Sequence, residues 1–378
     1  MPTFSFPTLI QFGPGVRKEV GAHLKAQGVR RPLLVTDKGL AALPLPKDLM
    51  ETVRAAGLEP ALFSDIAGNP VESSVTGGVA AYRAHQADGI IGLGGGAALD
   101  VAKAIALMAG HPGALFEYED GRPDARPIDK DVPYWVALPT TAGTGSEVGR
   151  SAVISDANHI KRIVFSPKLL ARAVFADPEL TLALPAKVTA ATGMDALTHC
   201  IEAYLAKDYH PICDGIALEG LRLAAKALPR CIEAPGDIQA RSDMMMASMM
   251  GAIAFQKGLG LVHSCAHALS TVADLHHGFA NGVMIDSALR FNLESSEEKF
   301  VRMAQVVGID DTTGEGFLRW LRELKARIGI PAGLKAAGVD RGELERLSRL
   351  AFQDSCHQNN PRPCREDDFR QIYTAAFA

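Results

Sequence analysis

The sequence predicts an α/β domain built on a parallel sheet, followed by an all-helical domain. Three observations carry this. In the first half, short apolar runs alternate with helical patterns, as right-handed βαβ crossovers require. The character changes near Asp177–Pro185 (DPELTLALP), and from Ala186 onward the chain is rich in Ala, Leu, Met and Glu at helical spacing, with few convincing strands. Its 378 residues are 47% hydrophobic and 22% charged. At roughly 150 residues per domain that is enough chain for two or three domains with large cores.

The elements follow in order. Leu33–Thr36 (LLVT) reads as a buried strand and Val71–Gln86 as a helix. Asp88–Leu93 (DGIIGL) reads as a second strand that runs into a glycine cluster, with helical spacing resuming over Val101–Met108. Tyr134–Leu138 (YWVAL) is a third strand. Beyond the break, Val188–Ala206 and Gly215–Leu228 read as long helices. The boundary is placed between 184 and 185. No Gly/Ser linker separates the halves, so they are expected to share a packed cleft. Repeats and low-complexity segments are absent.

Composition narrows the function. The formal net charge is −4 and no basic stripe stands out, which argues against nucleic acid or an anionic membrane as partner. Six cysteines (Cys200, Cys213, Cys231, Cys265, Cys356, Cys364) form no CxxC pair and no disulfide framework, as in a reduced compartment. The start, MPTFSFPTLIQFGPG, lacks the charged and apolar regions of a signal peptide. Apolar stretches such as Met244–Phe255 fall short of the ~20 residues that span a bilayer. A soluble cytoplasmic protein is expected.

Two loops at strand ends can hold a ligand. Gly92-Leu-Gly94-Gly95-Gly96-Ala-Ala-Leu-Asp100 follows a strand and opens a helix. Glycine lets backbone approach a ligand closely, and a helix N-terminus offers free N–H groups to phosphate. It departs from GxGxxG, and a tight strand-to-helix turn without a ligand explains it equally well. Asp37, after LLVT, can bond both ribose hydroxyls of NAD and repel a 2′-phosphate, or simply cap the helix starting at Lys38. Pro139–Glu147 (PTTAGTGSE) presents hydroxyls and N–H groups at a strand's carboxyl end, where open α/β sheets bind ligands; a capped turn needs fewer such residues.

The helical half carries a metal-ligating pattern. Asp195 and His199 lie four apart in GMDALTHCIEAY and share one helix face. His263 and His267 repeat that spacing in LVHSCAHAL, and His277 follows in HHGFANG. Any one of these histidines alone is best explained as a hydrogen-bonded core or surface imidazole. Together, a DxxxH helix beside an HxxxH helix is a good way to converge oxygen and imidazole donors on one ion. Cys200 and Cys265 point about 100° from the ligand face and read as small core residues.

These segments resemble the iron-containing (group III) alcohol dehydrogenases: GLGGGAALD, LPTTAGTGSE, ATGMDALTHCIEAY, and HSCAHAL with HHGFANG occur in order, and the likeness runs from Phe12-Gly13-Pro14-Gly15 to Asn360-Pro361-Arg362. The resemblance implies a Rossmann-like dinucleotide-binding domain over 1–184 and a helical metal-binding and substrate domain over 185–378, an architecture shared with dehydroquinate synthase. It implies Asp195, His199, His263 and His277 as ligands of Fe²⁺, with Zn²⁺ or another divalent ion as alternatives. It places His267 near the nicotinamide as a non-ligand able to relay a proton. Asp37, Gly94, Gly95, Gly96, Asp100, Thr140, Thr141, Thr144 and Ser146 match NAD-contacting positions, as do Val153 and Lys161. Phe255 is expected to line the substrate pocket. The chain departs from many relatives at Ala97 (in place of Ser), at Ala268 and Ser270, and in a shorter AFQKGLGLVH. The implied reaction is hydride transfer between NAD(H) and a small primary alcohol, diol or aldehyde, in a homodimer. A maleylacetate reductase or a dehydroquinate synthase-like lyase is the alternative. The first typically has fewer acidic ligands than a site with Asp195; the second needs a Lys/Arg cluster that the helical half lacks near the ligands.

Overall fold

The computed structural model describes residues 6, 8–158 and 160–377; the first five residues of the N-terminal reading lie outside them. The chain forms two compact units. The α/β unit comprises Phe6–Thr141 and Ser146–Thr181; the helical unit comprises Ala142–Gly145 and Leu182–Ala378.

The α/β unit runs β1 (Leu9–Phe12), α1 (Val20–Ala26), β2 (Pro32–Val35), α2 (Lys38–Ala41), α3 (Pro44–Ala55), β3 (Ala61–Phe63), α4 (Glu72–Ala84), β4 (Gly89–Gly94), α5 (Gly96–Gly110) and β5 (Tyr134–Pro139). It ends with β6 (Ser151–Ser155), β7 (Lys161–Phe165) and β8 (Ala173–Ala176). Six strands form one parallel sheet in the order β1-β8-β5-β4-β2-β3, and β6 and β7 pair as an antiparallel hairpin. The central strands β2 and β4 are buried along their whole length, which is why they read as continuous apolar runs rather than alternating ones. On one side Val20, Leu24, Leu49 and Val53 pack on Leu34, Ile91, Leu93, Val136 and Phe175. The strands found by pattern lie within a residue of their observed limits. The short β1, β3 and β8 and the β6–β7 hairpin carry too little periodicity to be read.

The helical unit runs α6 (Ala186–Leu205), α7 (Pro211–Glu233), α8 (Ile238–Ala254), α9 (Leu261–Ala273), α10 (His277–Leu293), α11 (Glu297–Val307), α12 (Gly314–Arg327), α13 (Leu344–Gln353) and α14 (Glu366–Ala376), without a strand among the described residues. Helix α6 is buried on nearly every face, packed by α7, α8 and α10. A helix apolar all round belongs in the middle of a bundle. The turn of α6 before Asp195 is approached closely by α10: a Cβ on Gly278 would lie 2.2 Å from the Ala191 carbonyl oxygen, so only glycine lets His277 start its helix there.

Candidate functional site

Within the α/β unit, three neighbouring parallel strands (β2, β4 and β5) end side by side, and the predicted ligand residues follow those ends. Asp37 comes after β2, Gly94–Gly96 close β4 and open α5, and Thr140 and Thr141 follow β5. The Thr140 N–H donates to the Gly94 carbonyl at 3.0 Å. Gly94 has φ +148° and Gly95 is the N-cap of α5, leaving the first N–H groups of that helix facing the loop. Asp37 caps α2 through Oδ1, which accepts from Leu40 N–H at 2.8 Å, while Oδ2 lies 3.5 Å from where a Gly94 side chain would begin. A methyl there would also meet Ala98 Cβ at 2.7 Å.

Asp100, Ser146 and Val153 meet in one network. Asp100 Oδ1 accepts from Ser146 Oγ at 2.6 Å and from Lys103 Nζ at 3.2 Å; its Oδ2 accepts from Val153 N–H at 3.0 Å. Lys103 is 1% exposed and donates also to Ser146 Oγ (2.6 Å) and the Ser151 carbonyl (2.7 Å). The network ties α5 to the second loop and to β6; Lys161 lies across the hairpin on β7. Beside it the buried Glu147 has an Oε1 without a hydrogen bond, and burial pushes its carboxyl up to about 7 against the opposing charge of Lys103. Thr144 belongs to the segment that packs in the helical unit. There Ser248 Oγ donates to the Gly143 carbonyl at 3.1 Å, and Gly145 (φ +61°) lies against Ala252.

In the helical unit the metal-ligand candidates converge. Asp195 Oδ1 stands 3.4 Å from His277 Nε2, 3.8 Å from His263 Nε2 and 3.8 Å from His199 Nε2. Asp195, His263 and His277 form the tightest group; the His199 ring stacks on His263 with centroids 4.8 Å apart. These separations are longer than hydrogen bonds. They fit donors about 2.1 Å from one tetrahedral ion, which stand roughly 3.4 Å from each other. Asp195 and His263 are buried, whereas the His277 side chain is 24% exposed.

The surroundings fit a cation. Asp195 forms no ion pair with Lys or Arg among the described residues. Burial pushes the His199 imidazole down to about 4, leaving it neutral as a ligand must be. Burial alone would lower His263 too, but the hydrogen bond and charge of Glu202 outweigh it and raise that ring. Asn281 Nδ2 donates to Asp195 Oδ1 at 2.8 Å, and its buried Oδ1 has no partner. His267 is separate: its Nδ1 bonds Asp354 Oδ2 at 2.8 Å, its side chain is 29% exposed, and its ring stacks on His277 at 5.1 Å. The Phe255 ring lies 5.0 Å from that of His199.

Four residues of these networks escaped the sequence reading. Glu202 was legible, since it falls three residues after His199 on the same helix face, and Asn281 stands four after His277. Asp354 and Lys103 carry no local signal; tertiary structure alone brings them to His267 and Ser146.

Two family models match most of the chain. The model described as "Iron-containing alcohol dehydrogenase" matches residues 7–178, and that for "Fe-containing alcohol dehydrogenase family, C-terminal" matches 189–377. The chain is 40% identical over 357 residues to the 4-hydroxybutyrate dehydrogenase of Cupriavidus necator (91% of this chain, 92% of the relative). It is 37% identical to the NAD-dependent methanol dehydrogenase of Bacillus methanolicus, with all of both chains covered. The crystal structure of a 1,3-propanediol oxidoreductase superposes with TM-score 0.95 at 35% identity, covering 100% of each chain.

Proposed function

The chain belongs to the iron-containing alcohol dehydrogenase family, whose members named above are alcohol and diol dehydrogenases, and from that premise we propose that it oxidises small primary alcohols or diols and reduces the matching aldehydes with NAD(H). The observation that carries this reading is Asp195 Oδ1 ringed by three imidazole Nε2 atoms at 3.4–3.8 Å, with the His277 side chain partly exposed. Asp195, His199, His263 and His277 would hold Fe²⁺. When bound, the ion supplies Lewis acidity to the substrate oxygen and NAD⁺ supplies the hydride acceptor.

The protein's own residues do the rest. Gly94, Gly95, Gly96 and the first turn of α5 cradle the pyrophosphate, with Thr140 and Thr141 beside them, and Asp37 takes the ribose. Asp100, Thr144, Ser146, Val153 and Lys161 add further cofactor contacts, with Asp100, Ser146 and the Val153 N–H held in one network. His267 accepts the alcohol proton at Nε2 and passes it to solvent, because Asp354 holds its Nδ1 and its ring is partly open. Phe255, against His199, gives the substrate an apolar wall. We further propose a cytoplasmic homodimer. Two facts support the location: no single helix among the described residues is long and apolar enough to cross a membrane, and no disulfide forms among them.

The test is a panel of C1–C6 alcohols, diols, ω-hydroxy acids and aldehydes, assayed with NAD(H) and NADP(H) before and after removal of metal by a chelator. Activity lost with the metal and restored by Fe²⁺ supports the reading. Full activity in metal-free protein overturns it.

A further inference from the structure

A carboxylate that is no ligand itself stands behind the metal set. Glu202 is on α6, seven residues after Asp195 and three after His199, so all three share one face. Its side chain is 1% exposed. Oε1 accepts from Val262 N–H at 2.7 Å. Oε2 meets His263 Nδ1 at 2.6 Å and His263 N–H at 3.3 Å. Val262 and His263 are in the first turn of α9, whose N–H groups lack helical partners, so one carboxylate from α6 both caps α9 and grips its ligand ring. The grip is tight: a Cβ on Gly260, the N-cap of α9, would lie 2.7 Å from Oε1.

We infer that Glu202 is the positioning residue that sets the His263 tautomer, and that metal affinity depends on it. A neutral imidazole carries one N–H. With a carboxylate on Nδ1, that hydrogen sits on Nδ1 and Nε2 keeps the lone pair aimed toward Asp195. Carboxylate–imidazole pairs of this kind orient ligands and raise their basicity. Glutamine has the same shape but breaks the logic. If its carbonyl accepts from Val262 N–H, its NH₂ faces Nδ1, which must then accept; the ring hydrogen moves to Nε2, and that nitrogen can no longer ligate.

This inference rests on the metal reading above, and the experiment separates the two. Glu202→Gln, Glu202→Asp and the parent protein are loaded with Co²⁺, and the dissociation constant and the visible ligand-field spectrum are measured. Loss of the outer carboxylate is expected to raise the dissociation constant roughly 10- to 100-fold in Glu202→Gln. Glu202→Asp, which keeps the acceptor, should recover part of it. A merely structural role would lower the melting temperature but leave the affinity and spectrum of the folded fraction unchanged. In ¹⁵N-histidine-labelled parent protein, which needs no variant to fold, His263 should carry its hydrogen on Nδ1. Glu202→Gln binding within twofold of the parent, or a parent His263 protonated on Nε2, overturns the inference. A parent protein that binds no Co²⁺ at all overturns the metal reading instead.

Discussion

In the sequence Asp37 is legible both as a helix cap and as a ribose carboxylate; the structure shows the cap, and substitution separates it from the proposed ribose role. Oδ1 caps Leu40 N–H at 2.8 Å and Oδ2 lies toward Gly94. Asparagine caps as well as aspartate, whereas alanine costs about 1 kcal/mol at such a position. The charge is a different matter. Two unit charges about 4 Å apart near a protein surface interact by about 4 kcal/mol, and each 1.4 kcal/mol is tenfold. After screening, the carboxylate should disfavour a 2′-phosphate on the order of 100-fold. Asp37→Asn is therefore expected to leave the denaturation midpoint where it is and to collapse the ratio of kcat/KM for NAD⁺ over NADP⁺ by that factor. Asp37→Ala is expected to collapse the ratio equally and to lose about 1 kcal/mol of stability. The assay is kcat/KM with both cofactors beside urea unfolding of all three proteins. An unchanged cofactor ratio in Asp37→Asn refutes the ribose role; a stability loss in Asp37→Asn equal to that of Asp37→Ala refutes the cap argument.

Asp195→Ala should lower iron affinity more than the roughly 100-fold expected for an outer partner, and abolish turnover with unchanged far-UV dichroism; full iron content after dialysis would contradict it. If His267 relays the proton as proposed, Asp354→Asn should cut kcat roughly 10- to 100-fold while the KM for alcohol moves less than about threefold. A change confined to KM would contradict that. Glu147 gives a pH prediction. Its folded carboxyl is pushed up to about 7 from an ordinary 4.5, so between those values the native state holds the proton more tightly than the unfolded chain and stability falls as pH rises. Glu147→Gln should gain on the parent from pH 5 to pH 8, by up to roughly 3 kcal/mol, and a gap that stays flat with pH, read by urea titration at each pH, would refute it.

What the sequence disclosed follows the range of the interactions involved. The candidate ligand pair Asp195–His199 and the pair His263–His267 were visible because i, i+4 geometry is local to one helix. The parallel sheet was visible because β2 and β4 are buried on both faces and so spell continuous apolar runs. The nine-residue polar loop read as a single ligand cradle, yet Gly143 and Gly145 are glycines for another reason as well. A Cβ on Gly143 would meet Thr192 Cβ at 2.8 Å, and one on Gly145 would meet Ala252 Cβ at 2.1 Å. Packing against helices and approach to a ligand ask for the same residue, and spacing does not tell them apart. Likewise, that Asp354 holds His267 depends on the chain folding back over a separation of 87 residues, which no local pattern encodes.

The charge balance of the helical unit favours a divalent ion at the proposed site. Asp195 and Glu202 are both almost fully buried, seven residues or about two turns apart on α6, and among the described residues neither pairs with Lys or Arg. Their partners are imidazoles, the Asn281 amide and, for Glu202, the first N–H groups of α9, and His199 is held neutral by burial. Each uncompensated buried carboxylate costs several kcal/mol. A lysine placed between them would balance one charge and fill the space a substrate oxygen needs. A divalent cation balances both, at the point where the Nε2 atoms and Asp195 Oδ1 converge. The same two carboxylates that make the metal-free unit costly would favour an ion at the proposed site, and would make that site suit a neutral alcohol oxygen better than an anionic group.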